Sequence, residues 1–453
     1  MIPRPLSSIA ETVGGRVHGK DVTVDSAASD SRSVSPGTLF VALPGERVDG
    51  HDFVADAIRR GAAAALVGRP IDGVPCVVVP DTGSALLALA ADERSRTPDA
   101  TVVGITGANG KTSTKDMAAA VLGTRFRTHA SPASFNTEVG LPVTMLGAPT
   151  GTEVVVAEMG ARRLGDVALL CRIARPDLVV VTNVGVAHME IFGSWDAIVT
   201  ASAEPVEALG ADDVAILNRD DDIVRSYADR TEARILWFGQ TAGADVTAEA
   251  VEVGDDGRAR FVLRTDGERE PVELAVPGEH MVPNALAAAA CGLALGVPPA
   301  ECASALKGAH VSGSRMETFE APGGITVVND AYNASPESMA AALKTARWIG
   351  REGRLVAVLG HMAELGSISR DAHEKLGEVI VRVGVDRLIT VGDEARLIHV
   401  SAVREGQHPD DAVDVDTVEE AVAEIRRWAR PGDVVLVKGS RVLGLERVAE
   451  ALR

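Results

Sequence analysis

The stretch TVVGITGANGKTSTKDMAAAVL (101–122) joins an apolar run to a glycine-rich turn and then to a helical pattern that opens on Lys111 and Thr112. Such a loop wraps backbone N–H groups around phosphate oxygens, while the lysine neutralises charge and the threonine hydroxyl reaches Mg²⁺. Gly107, Asn109, Gly110, Lys111, Thr112 and Ser113 are therefore its nucleotide-binding candidates. The strict G-x-x-x-x-G-K-T pattern would place glycine where Ile105 stands, with Gly104 and Gly107 to either side. Glu158 follows EVVVA and His188 follows LVVVTNVGVA, so both fall at the carboxyl ends of buried strands, where open α/β sheets place ligands. They could share a metal site. Lys438, Ser440 and Arg441 end another apolar run, VVLVKGS. Asn284 stands at a helix start, where an N-cap is the ordinary explanation. Asn333 and Ser335, just before Pro336, are good turn formers.

The elements that must hold these residues are legible in outline. The first hundred residues mix short strand-like runs (TLFVAL, AAALV, CVVV) with amphipathic helices such as FVADAIRRGAAA. From Thr101, runs of the buried-strand type alternate with helices, as a doubly wound parallel sheet requires. Alternating, charge-flanked strands between about 245 and 276 suggest a β-rich excursion, and a further strand–helix series begins near Ser312. The expected fold is α/β with three domains: a small α/β domain (1–97), a central P-loop domain with a doubly wound parallel sheet (98–311), and a C-terminal Rossmann-like domain (312–453). At 453 residues the chain exceeds one ordinary core.

Composition narrows the function. A formal charge of −19 and 3% aromatic residues argue against nucleic-acid partners, which need clustered cations and stacking platforms. No apolar run approaches the roughly 20 residues of a membrane span, and the N-terminus lacks a signal-peptide core. Four scattered cysteines suggest neither a zinc site nor a disulfide framework, which fits a reducing cytoplasm. A monomer is the simplest expectation.

TGANGKTSTKD resembles the phosphate loop of the Mur ligases and their folylpolyglutamate synthetase relatives. The resemblance extends through SAASDSRSVSPGTLFVALPGERVDGHDF, SFNTEVGLPVTML, AEMGARRLGD, TNVGVAHMEIFGS, PGEHMVPNALAAAA, SRMETF, NDAYNASPESM and VLVKGSR, in the family's order. NDAYNASPESM resembles the member that adds D-alanyl-D-alanine to UDP-N-acetylmuramoyl tripeptide. The resemblance implies an ATP-dependent ligase that forms an acyl phosphate and then an amide, with ATP and Mg²⁺ required and both substrates small molecules. By the same implication Ser31 and Arg32, beside Asp30, meet the nucleotide sugar; Asn136 and Thr137 contact substrate; and Glu158 and His188 hold Mg²⁺ together with Thr112. Asn284 contacts adenine, Arg315 reaches the ATP phosphates, Asp330 meets the ribose, and Asn333 and Ser335 lie near the incoming dipeptide. Lys111, Glu158, His188 and Arg315 are the catalytic candidates, and a mobile third domain closes on the substrates.

One departure stands out. The family carries a lysine in a segment resembling A-K-x-E after the histidine strand, and its carbamylated side chain bridges two Mg²⁺ ions. Here AIVTASAEPVEAL puts Ser202 at that position and Pro205 where the helix interior should continue, and no lysine occurs between Lys115 and Lys307. Glu204 is a possible partial substitute. The alternatives are a ligase with altered second-metal binding, a relative recruited to another acid and amine, or a nucleotide-binding protein impaired in catalysis. Met281 after His280, and His361 where an acidic residue is commoner, are smaller departures; Met281 is expected to pack.

Overall fold

The computed structural model describes residues 1–45 and 48–453. The strands of the middle region are runs such as VVVAE and LVVV, every residue of which is buried. Chains of this kind are stable only with both sheet faces covered. They form a six-stranded, all-parallel sheet in the order Arg234–Phe238, Val214–Asn218, Leu178–Val181, Thr101–Thr106, Val154–Glu158, Thr128–Ala130. One face is covered by the helices Lys111–Leu122 and Val282–Ala294, the second of which is largely buried and rich in alanine. The helices Asp166–Ala174 and Trp195–Glu207 lie on the other. The strand Thr101–Thr106 is the earliest in sequence yet sits between Val154–Glu158 and Leu178–Val181. Strand order reverses there, so the loop after it opens into the crevice where α/β sheets bind ligands.

The anticipated β-rich excursion is a separate antiparallel sheet of Thr247–Val253, Arg258–Arg264 and Arg269–Pro277. Its alternating side chains pack apolar residues (Phe261, Leu263, Val272, Leu274) onto the central core. Before the middle region, a five-stranded sheet orders Arg16–His18, Cys76–Val78, Ala64–Val67, Thr38–Val41 and Ser26–Ala28, antiparallel only at the first pair. After it, a six-stranded sheet orders Glu317–Ala321, Ile325–Asn329, Val434–Lys438, Leu355–Gly360, Arg387–Val391 and Ala412–Val415. Only its first pair is antiparallel. No described helix is long and apolar enough to cross a membrane.

Candidate nucleotide and ligation site

The phosphate loop is held on all sides. Asn109 N–H donates to Asn183 Oδ1 at 2.9 Å, and the Asn109 carbonyl accepts from Thr182 Oγ1 at 2.7 Å and Asn183 Nδ2 at 3.0 Å. Gly110 has φ +83°, and a Cβ there would run into Asn284 Oδ1, so glycine is required for both conformation and space. The helix Lys111–Leu122 begins immediately after it, which aims its first N–H groups into the crevice. Lys111 Nζ donates to the carbonyls of Gly107 (2.6 Å) and Ala108 (3.1 Å). Burial holds this ammonium below the ordinary lysine range, Glu158 opposes that shift, and Arg315 adds to it. Ser113 is buried two residues further on.

Thr112 is the hub. Its hydroxyl donates to Glu158 Oε2 at 2.6 Å and lies 3.1 Å from both Ser134 Oγ and Arg315 Nη2. Glu158 is buried at its strand end, and its other oxygen accepts from Asn136 Nδ2 at 2.7 Å. A hydroxyl and a carboxylate oxygen, side by side at a phosphate loop, form a donor set that suits Mg²⁺, which takes one or two protein oxygens and completes its shell with phosphates and water. Among the described residues no three His, Cys, Asp or Glu side chains gather into a metal cage. His188 has φ +59° and lies within the field of Lys111. Burial draws its imidazole below the usual histidine range, against the opposing pull of Glu364, whose carboxylate pairs with His188 Nδ1.

Arg315 enters from the third region. Its guanidinium donates to Ser134 Oγ at 2.8 Å and to the Ser312 carbonyl at 2.9 Å, and it stacks 3.7 Å above the Tyr332 ring. Ser314 and Met316 on either side both have positive φ. Asp330 is engaged by Lys438 Nζ (2.6 Å) and Met316 N–H (3.1 Å), and Lys438 also donates to the Asn333 carbonyl at 2.8 Å. Ser335 caps the helix Pro336–Ile349 in a reciprocal box with Ser338, and its hydroxyl lies 2.9 Å from Asn109 Oδ1. The side chain of Asn333 is exposed.

Other candidates sit apart or differently. Thr137 Oγ1 accepts from Gly140 N–H at 3.3 Å at the start of the helix Gly140–Gly147. Ser31 is buried against Asp56 at 3.0 Å, while Arg32 is 80% exposed and paired with Asp30, and among the described residues neither is hydrogen-bonded to the phosphate-loop cluster. Asn284 is not an N-cap: that position belongs to Met281, three residues earlier. Asn284 is instead buried in the first turn, accepting from Thr114 Oγ1 at 3.3 Å and packing on Gly110. Met281 is buried as expected.

The helix Trp195–Glu207 continues through Pro205, which removes one backbone donor within its last turn. Ser202 on that helix lies against the Tyr227 phenol, whose pKa burial pushes up to about 12. Glu204 does not substitute for the missing lysine. Its oxygens accept from Gly165 N–H (2.6 Å) and Ala168 N–H (2.9 Å), capping the neighbouring helix Asp166–Ala174. His361 faces Glu394 at 3.4 Å. Ser134, Tyr332 and Glu364 went unnoticed in the sequence. Ser134 and Tyr332 lie within segments already quoted for other residues, and Glu364 comes four residues after the buried strand Leu355–Gly360.

Three family models match the chain: the Mur ligase family catalytic domain at residues 23–79, the Mur ligase middle domain at 105–292, and the Mur ligase glutamate ligase domain at 314–441. The UDP-N-acetylmuramoyl-tripeptide–D-alanyl-D-alanine ligase of Mycobacterium tuberculosis (strain ATCC 25618 / H37Rv) is 40% identical, over 100% of this chain and 98% of that protein. A crystal structure of MurF from Acinetobacter baumannii superposes with a TM-score of 0.86 at 30% identity, covering 99% of this chain and 98% of that one. MurF ligase from Thermotoga maritima in complex with ADP gives 0.80 at 30% identity, covering 95% and 97%.

Proposed function

This chain belongs to the Mur ligase family, and from that membership we propose that it is an ATP-dependent amide ligase joining D-alanyl-D-alanine to UDP-N-acetylmuramoyl tripeptide in peptidoglycan precursor synthesis. The observation that carries the reading is the convergence of Arg315, from the C-terminal region, on Thr112 and Ser134 beside the phosphate loop. A nucleotide site completed from two domains suits a reaction whose intermediate must be kept from water.

In this reading the tripeptide's terminal carboxylate oxygen attacks the γ-phosphorus of ATP and ADP leaves. The amine of D-alanyl-D-alanine then attacks the acyl phosphate carbon, loses a proton, and expels phosphate with the former carboxylate oxygen. The difficulty is the meeting of several negative charges, so catalysis rests on positioning and positive charge rather than a protein nucleophile. Lys111 and the Arg315 guanidinium supply that charge, and Glu158 fixes the Thr112 hydroxyl, itself fixed by Asn136. A Mg²⁺ ion held by Thr112 and Glu158, with His188 beside them, would neutralise the phosphate oxygens. Asn284 is assigned to adenine and Asp330 to the ribose. Residues 1–97, with Ser31 and Arg32, would take the uridine sugar; 98–311 the ATP, with Asn136 and Thr137 toward the tripeptide; and 312–453, with Asn333 and Ser335, the dipeptide. A cytoplasmic monomer fits these roles.

Mass spectrometry of reactions with Mg-ATP and both substrates, each omitted in turn, tests this, with Ser202→Lys run in parallel. The amide product is expected from the native chain only when all components are present. Product from Ser202→Lys alone would mean an impaired relative, and turnover confined to another acid and amine would mean a recruited one.

A further inference from the structure

His188 and Glu364 come from different domains, 176 residues apart, and their side chains pair directly. The contact is built rather than incidental. Glu364 adopts φ +61°, a conformation rare for a side-chain-bearing residue. Its backbone carbonyl accepts from Glu190 N–H at 3.1 Å, and its carboxylate also lies 3.7 Å from Arg162. Two residues on, Gly366 has φ +55°, and a Cβ there would stand 2.9 Å from Glu190 Cα, so only glycine lets the two loops approach this closely. Backbone, carboxylate and glycine together hold the turn after the strand Leu355–Gly360 onto the short helix Met189–Phe192 that follows His188.

A neutral imidazole that donates through Nδ1 keeps its lone pair on Nε2. A carboxylate behind a ligating histidine fixes both tautomer and ring orientation. We infer that Glu364 is a positioning residue that sets His188 for the divalent cation of the nucleotide site, and that docking of the C-terminal domain and cation affinity are thereby linked. Whatever seats Glu364 on His188 strengthens cation binding, and a bound cation strengthens the docking by the same factor. The inference rests on the nucleotide-site reading above and adds to it a residue from outside the phosphate-loop domain.

The test measures Mn²⁺ affinity in the presence of ADP, by electron paramagnetic resonance of free Mn²⁺, for the native chain, Glu364→Ala, Glu364→Gln, His188→Ala and the His188→Ala/Glu364→Ala double variant. Glu364→Ala is expected to weaken Mn²⁺ binding about 10-fold, while ADP affinity measured without divalent cation stays unchanged. Glu364→Gln, whose amide oxygen still accepts from Nδ1, recovers most of the loss. In the His188→Ala background, Glu364→Ala has no further effect, the non-additivity of residues acting through one another. Native Mn²⁺ affinity in Glu364→Ala, or full additivity in the double variant, overturns the inference. Failure of the native chain to bind Mn²⁺ with ADP would instead defeat the nucleotide-site reading on which it stands.

Discussion

Arg315 reaches Thr112 and Ser134 while its flat face lies on Tyr332, so it acts through a planar fork rather than through charge alone. A lysine offers a compact ammonium without either the fork or the stacking face. Arg315→Lys should therefore lower kcat/KM for ATP about 100-fold, the scale of losing one pre-set donor to developing charge, with circular dichroism unchanged. A loss below about threefold in steady-state kinetics would remove Arg315 from the chemistry. At this scale the sequence displays what lies on one loop or at one strand end: Lys111, Thr112, Glu158 and His188 could be singled out because buried strands announce where their carboxyl ends point. Ser134 and Glu364 could not, because their roles depend on contacts made across the domain boundary, which no periodicity encodes, and Tyr332 acts only through the Arg315 guanidinium stacked on its ring. Glu204 shows the converse. Its type and position suggested a substitute ligand, yet the nearest need it meets is that of two helix-end N–H groups.

Ser335 does two jobs at the level of the element. It caps the helix Pro336–Ile349 and touches Asn109 of the phosphate loop. Ser335→Ala should cost about 1 kcal/mol of stability for the lost cap, read by urea unfolding. Ser335→Asp retains a capping acceptor but loses the hydroxyl donor to Asn109, so it should hold stability while raising KM for ATP. If both variants leave kinetics untouched, the Asn109 contact has no role. The helix Val282–Ala294 shows why boundaries are harder to read than elements. Its alanine run was plain, but Asn284 was given the capping position by residue type, whereas the 3₁₀ turn Glu279–Met281 begins the structure earlier and carries Asn284 inside. The three-stranded excursion was readable because alternation and charge flanking are local, while the order of strands around Thr101–Thr106 is set by long-range pairing.

Across the whole molecule, buried histidines give stability a particular pH dependence. His129, His188, His280 and His373 are all drawn below the ordinary histidine value of about 6.5, mainly by burial. Between the folded and unfolded values the unfolded chain binds more protons, so stability falls as pH drops through about 6.5. The carboxylates held low by ion pairs or hydrogen bonds, such as Asp56 and Glu301, lose their contribution only in more acidic solution. Calorimetric Tm should accordingly decline between about pH 7 and about pH 5, and His129→Gln should flatten part of that slope. An unchanged slope would place the proton uptake elsewhere. The α/β class and three-part organisation were legible from strand and helix patterns, but the meeting of Arg315, Ser335 and Glu364 with the central crevice belongs to the assembled molecule alone. The central claim is that ATP activates a carboxylate which an amine then captures. The direct measurement is the fate of ¹⁸O placed in the terminal carboxylate of UDP-N-acetylmuramoyl tripeptide, read by mass spectrometry of the phosphate released with ATP and D-alanyl-D-alanine. The account predicts that one labelled oxygen moves into each phosphate as each amide forms; phosphate released without label would contradict it.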